Sequence, residues 1–275
     1  MAPLERVLWI GGPSGAGKST AARLLARRHG FRWYSSDTKT WNHRDRAVAA
    51  GDRAAVEWEA LSPAERSALP FEEEQRLRLD RDAMTREDLA ELPDQPAIVA
   101  DGTPFTPALV GGAIAGPNRI PMPSGCSPMT RRERRDLARG WGGAGNAADL
   151  QRRTDLETAV DDANGIVITT SNHPTAQDTV AAIELACRGW IRQQPAAATI
   201  FERRALIREG NSAIVEQYRA GLARPWSRTQ PREVIRTYDC ECARPGCIGL
   251  VDLALNEVPD PFSARSSAIL APGHG

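Results

Sequence analysis

Arg6–Gly11, RVLWIG, and the residues that follow directly, Gly12–Thr20, GPSGAGKST, decide the fold of this chain. The first six form an apolar run too short for a helix and end in Gly-Gly-Pro, which predicts a buried strand. Gly17–His29, GKSTAARLLARRH, places its apolar residues at helical spacing and stops at Gly30, a residue suited to the left-handed position just past a helix. Strand, glycine-rich loop and helix therefore follow in order. Across their junction Gly12-Pro13-Ser14-Gly15-Ala16-Gly17-Lys18-Ser19 matches G-x-x-x-x-G-K-[ST] in full.

That pattern has a physical reading. Glycines permit backbone angles and close approach that side chains forbid, so successive amides can face phosphate oxygens at the positive end of the helix. Gly12, Ser14, Gly15, Ala16, Gly17, Lys18, Ser19 and Thr20 are the candidate site for a nucleoside triphosphate, expected to be ATP with Mg²⁺. Lys18 would reach the β and γ phosphates, and the Ser19 hydroxyl would ligate Mg²⁺.

Further along, Arg32–Ser35 and the stretches 97–100, 119–122 and 165–170 are short strand candidates separated by helical segments. Such alternation predicts an α/β doubly wound sheet of five parallel strands. The charged stretch Trp41–Leu92 has helical character with breaks at Pro63 and Pro70, and it either covers substrate or packs on the sheet as a solvated hairpin. Thr130–Arg153 is arginine-rich with glycines in its middle and reads as a basic lid. The stretch 193–198, QQPAAA, suggests a hinge, so the expected division is a nucleotide-binding domain over 1–195 and a second unit over 196–275. In the second unit, Ile200, Ile207, Ile214 and Tyr218 mark one face of a long helix, and Arg232–Leu255 is a short β-like stretch with three cysteines.

The glycine-rich loop, Ser36-Asp37 closing the second strand and Asp101-Gly102 closing the third resemble the P-loop kinases of small molecules and nucleotides, over roughly residues 4–190. The resemblance implies that Asp37 meets the acceptor hydroxyl as a base and that Asp101 holds Mg²⁺ through water. It also implies that lid arginines reach the transferring phosphate, with Arg131, Arg132, Arg134, Arg135 and Arg139 as candidates, Arg135 and Arg139 foremost, and Arg152 and Arg153 behind them. Ser171-Asn172-His173-Pro174 would lie beside adenine. The residues themselves leave plainer roles open: a helix N-cap for Asp37, a turn residue for Asp101, a solvated helix face for each arginine. The Asp-Arg-x-x-Arg signature of a nucleotide acceptor is absent, so the acceptor is an unidentified small molecule.

Cys240, Cys242 and Cys247 lie within eight residues, and His274 stands near the end of the sequence. Three thiols and an imidazole suit a tetrahedral zinc ion, with free thiols packed in a small core as the alternative. Around them Cys240-Glu241-Cys242 and Pro272-Gly273-His274 resemble a small bacterial C-terminal module, over about residues 199–275, which usually has glycine where Ala243 stands. Asp239 or Asp252 could take the place of His274 as the fourth ligand. Cys126 and Cys187 stand alone, without an assigned role.

Composition sets the outer limits. Lys plus Arg equals Asp plus Glu at 35 each, so no global field favours nucleic acid or an anionic membrane, which argues against a polynucleotide kinase. No leader-like or membrane-spanning run is seen, and a cytoplasmic protein with reduced cysteines is expected. The function expected is an ATP-dependent kinase. Its rival is a nucleotide-dependent regulatory protein that signals to a protein partner through the cysteine module.

Overall fold

A computed structural model describes residues 4–12, 15–103, 105–106, 123–124, 156, 158–160, 162, 166–168, 175–244, 246–259 and 267–274. The chain divides into two compact units. One comprises Met1–Asp37, Asp88–Ile207 and Ala243–Cys247, and the other Thr38–Glu87, Arg208–Cys242 and Ile248–Gly275.

The first unit is built on strands β1 (Val7–Ile10), β2 (Arg32–Ser35) and β3 (Ile98–Asp101). They form a parallel sheet in the order β1-β3-β2, with Ile10 and Ser35 both in register with Asp101. Parallel strands of this kind are covered on both faces, and their sequences read as continuous apolar runs. The VLWI of β1 is fully buried, as that rule requires. Side chains alternate between the two faces. Leu8, Ile10 and Val99 pack with Leu24 and Leu25 of helix α1 (Lys18–His29) and with Val180 and Ile183 further along the chain. Val7, Trp9, Ile98 and Ala100 pack on the other face with Tyr34, Leu89 and Phe105. Leu25 is wholly buried, and its truncation to alanine should cost about 2–5 kcal/mol.

Gly30 ends α1 in the left-handed conformation and donates its N–H to the Ala26 carbonyl, as its place in the sequence suggested. A side chain there would also strike the Ala197 carbonyl, 2.9 Å from an added Cβ. That carbonyl belongs to the stretch expected to be a hinge. Instead Ala197 donates its N–H to Gly30 O at 2.8 Å, and Ala97 donates to Pro195 O at 2.9 Å, so the stretch is tied to α1 and to the start of β3.

Helices α2 (Thr40–Ala49), α3 (Arg53–Ala60), α4 (Pro63–Ser67), α5 (Phe71–Arg76) and α6 (Asp82–Glu91) occupy the predicted helical stretch. The two prolines mark helix starts: Pro63 is the first residue of α4 behind a Ser62–Glu65 capping box, and Pro70 immediately precedes α5. Strands β4 (Pro123–Ser124) and β5 (Ile166–Val167) form a separate parallel pair, so the described strands of the first unit comprise a three-stranded sheet and this pair rather than one five-stranded sheet. Of the expected strands, 119–122, 165 and 169–170 lie outside the described residues. Helices α7 (Ala176–Ala186) and α8 (Arg188–Gln193) follow, α7 behind a Thr175–Asp178 capping box.

The long helix α9 (Ile200–Leu222) comes next. Ile207 and Ile214 are buried, but Ile200 is exposed and stands off the expected stripe. From residue 208 onward α9 belongs to the second unit with α2–α5. Gln217 Oε1 accepts the Trp41 N–H at 3.2 Å. Gly221 leaves room for the Trp41 indole, whose Nε1 would lie 2.8 Å from an added Cβ. Arg224 pairs with Asp45 at 2.7 Å and covers Trp41, while Arg66 sits over both Trp58 and Trp226. The result is a cluster in which guanidinium groups lie over indole rings, which buries cations against aromatic faces. Strands β6 (Ile235–Asp239) and β7 (Leu250–Ala254) complete the unit as an antiparallel pair. No described helix is long and apolar enough to cross a membrane.

Candidate functional site

Parallel strands deliver their C-terminal ends to one edge of a sheet, where loops converge. The described sequence candidates of the first unit lie there. Gly12 leaves β1 at φ 135°, and Gly15 and Gly17 hold φ near 80°, angles that L side chains rarely adopt. Gly17 stands as the N-cap of α1 without a capping side chain. The first amides of α1 therefore carry the partial positive charge of a helix start with no acidic residue in the first turn. Ala16 and Lys18 are buried, each 8% exposed, and Thr20 is exposed.

Ser19 Oγ donates to Asp101 Oδ2 at 2.5 Å, and Trp33 Nε1 donates to Asp101 Oδ1 at 2.6 Å. Asp101 is 0% exposed. Burial pushes its carboxyl up to about 6, against the opposing pull of these two hydrogen bonds and of Lys18, with Asp37 adding to the rise. Asp101 closes β3 as a strand residue, so the plainer turn role does not apply.

Gly102 then passes so close to Ser36 that an added Cβ would lie 2.1 Å from Ser36 Oγ and 3.2 Å from Phe105 Cε1. Its N–H donates to Ile10 O at 3.3 Å, which holds the ends of β1 and β3 together. Asp37 sits in the 3₁₀ turn Ser36–Lys39, half-buried, and accepts from Thr103 Oγ1 at 3.3 Å. The N-cap of α2 is Lys39, so Asp37 does not cap that helix.

Sequence reasoning missed Trp33, Ser36 and Thr103. Nothing local marks them, because each acts through a neighbouring strand or loop. Ser14, the lid arginines Arg131, Arg132, Arg134, Arg135 and Arg139, and Arg152, Arg153, His173 and Cys126 lie outside the described residues. Cys187 is buried, and burial pushes its thiol up to about 11, which leaves it protonated and inert.

A second cluster gathers Cys240, Cys242, Cys247 and His274, whose ligand atoms all lie within 4.8 Å of one another. Cys240 Sγ stands 3.3 Å from His274 Nδ1 and accepts the Ala271 N–H at 3.3 Å. The turn after Cys242 needs a left-handed residue, and Ala243 supplies it at φ 56°. Gly249 accommodates the packing: an added Cβ would meet Ala271 Cβ at 3.0 Å, Cys240 Cβ at 3.2 Å and His274 Cε1 at 3.3 Å. Asp252 is engaged elsewhere, accepting from Thr237 Oγ1 at 2.6 Å, and His274 takes the fourth place.

Glu241, between two of the thiols, is 2% exposed and points away to α9. Arg208 donates to its Oε2 from both Nε, at 3.1 Å, and Nη2, at 2.9 Å, and Asn211 Nδ2 donates to its Oε1 at 3.1 Å. Asn211 also exchanges two 2.9 Å hydrogen bonds with the Asp239 backbone, donating to the carbonyl and accepting the N–H. Such partners orient a ligand loop as firmly as the ligands themselves. The set can hold one metal ion, and three thiols with an imidazole suit a soft or borderline divalent cation.

A scan against protein-family models returns no match, and a search of the curated proteins returns no relative.

Proposed function

We propose that this chain is an ATP-dependent kinase acting on a hydroxyl of a small molecule in the cytoplasm. The observation that carries the reading is the complete G-x-x-x-x-G-K-S stretch between a buried strand and a helix, whose Ser19 meets the buried carboxylate of Asp101. The sheet order supports it as well. β2-β3-β1, with β4 near β1 and β4 paired to β5, is what a five-stranded P-loop kinase sheet would contain.

In this reading the amides of 12–20 and the Lys18 ammonium hold the triphosphate, and Ser19 with Asp101 holds Mg²⁺, which neutralises charge on the phosphates when bound. Trp33 fixes Asp101 by its indole N–H. Asp37, oriented by Thr103, takes the proton of the acceptor hydroxyl, and arginines of the 130–153 stretch, Arg135 and Arg139 among them, face the transferring phosphoryl group. Measuring ADP release against a library of hydroxyl-bearing metabolites tests the reading. One compound should raise turnover in the parent and leave a Lys18→Ala variant silent. Equal ADP release by the two proteins across the library refutes it.

The Cys/His cluster favours a second reading, in which the chain is a nucleotide-dependent regulator that reports to a protein partner. Zinc is the ion that fits this set: four protein donors fill a tetrahedron, leave no position for substrate, and mark a structural site. A regulator should change partner binding with nucleotide and show no metabolite-stimulated turnover.

A further inference from the structure

The Cys/His cluster is joined through α9 to the helices that follow Asp37. Glu241, between Cys240 and Cys242, is held by Arg208 and Asn211 at one level of the helix. Two turns on, Tyr218 carries Arg236 of β6 over its ring at 3.9 Å, which fixes the strand leading into the cysteines. Neighbouring positions of the same helix, Gln217 and Gly221, receive Trp41 at the start of α2. Arg224, two residues beyond the helix, ties Asp45 and covers the same indole. Trp226 then meets Trp41 with ring centroids 5.8 Å apart at a tilt of 52°, and takes Arg66 on its face. The linking residues of α9, β6 and the insertion belong to the second unit, as do Cys240, Cys242 and His274.

From this arrangement we infer that metal occupancy at Cys240, Cys242, Cys247 and His274 controls the order of the helical insertion 38–87, with Asn211 as the positioning residue that passes the constraint to α9. The metal would join the three thiols and the imidazole of a turn that is otherwise held by single hydrogen bonds, Cys240 N–H to Gly249 O at 3.1 Å, Glu241 N–H to Ile269 O at 2.7 Å and the Asn211 contacts. The hairpin strands are five residues each, and an isolated two-stranded ribbon is marginal in water. Metal binding in so small an element is coupled to its folding, so losing the ion releases Glu241 from Arg208 and Asn211. The face of α9 that carries Trp41 then loses its partner on the far side. Residues 40–60, short helices with few buried side chains, are the part that loosens first. The inference rests on the metal reading of the cluster and is independent of the kinase reading.

Amide exchange on the full-length protein tests it, alongside elemental analysis for zinc. The expected result is about one zinc per chain, and on chelation exchange in 40–60 faster by about tenfold or more, reversed by adding zinc, while 97–101 of the first unit stays protected. Asn211→Ala should keep the zinc and still speed exchange in 40–60. Unchanged protection of 40–60 after the zinc is gone overturns the inference. So does a zinc-free native protein, and so does equal loss of protection in 97–101. An Asn211→Ala variant that holds zinc and shows parental exchange removes the relay assigned to that residue.

Discussion

Replacing Asp101 by asparagine separates what this carboxylate costs the fold from what it offers a cation. The side chain is wholly buried and its carboxyl is displaced from the ordinary 3.8 to about 6. Each tenfold change in acidity corresponds to about 1.4 kcal/mol, so keeping the group ionised in the folded state costs on the order of 3 kcal/mol. The sign follows from proton binding. Folded Asp101 retains its proton to higher pH than the unfolded chain, so the stability it contributes is full below about pH 4, declines up to about pH 6 and stays low above that.

Asparagine has nearly the same shape and keeps both contacts, its carbonyl accepting from Trp33 Nε1 and its amide donating to Ser19 Oγ. At about pH 8 Asp101→Asn should therefore be more stable than the parent by about 1–3 kcal/mol, with the difference closing below about pH 4. Urea unfolding followed by amide exchange at 97–101 reads this unit directly. In the same samples, if Asp101 holds Mg²⁺ as proposed, Mg²⁺ with ATP should stabilise the parent more than the variant. A variant equally stable or less stable than the parent at about pH 8, with the parent's pH dependence, would refute the burial argument.

Other outcomes follow from the same edge of the sheet. Lys18→Ala should weaken ATP binding by about 100-fold or more in calorimetry while the fold persists, since the ammonium is the one cation in the loop and charge-assisted contacts to phosphate are the strong ones. If Asp37 is the base of the proposed kinase, Asp37→Asn should abolish turnover yet leave MgATP affinity within about twofold; equal loss of both in an equilibrium-binding and steady-state comparison would contradict the role. Gly102→Ala should destabilise the first unit by about 1–3 kcal/mol in a denaturant titration, since the new Cβ meets Ser36 Oγ. Ser36→Ala in the same chain should restore a large part of that loss.

Helix α1 was readable because its signals are local: apolar spacing from Ala21 to Leu25, and Gly30 at the left-handed stop. Strand β2 was readable for the same reason, as a short run between Gly30 and Ser36-Asp37. The meeting of Ser19 with Asp101 spans 82 residues and rested on the resemblance, not on any pattern around Asp101. Trp33 gave no sign of its role, because only the neighbouring position of β3 turns its indole N–H into a support for a carboxylate. The Cys/His set was visible as chemistry, yet the function of Glu241 was not, since its partners lie on a helix about 30 residues earlier. The link from Trp41 to Gln217 is 176 residues long, beyond anything periodicity can report.

The shared unit of 38–87, 208–242 and 248–275 also governs how this chain can be cut and recombined. A severance at 195/196 would leave α2 and α3 without Gln217, Gly221, Arg224 and Trp226, baring the Trp41 indole to water. The tail cannot be lifted onto another protein as a free cassette, nor the front half kept alone, without exposing an aromatic patch that promotes aggregation. Shuffling of this architecture has to carry the insertion and the tail together, as a pair inherited in two pieces of sequence.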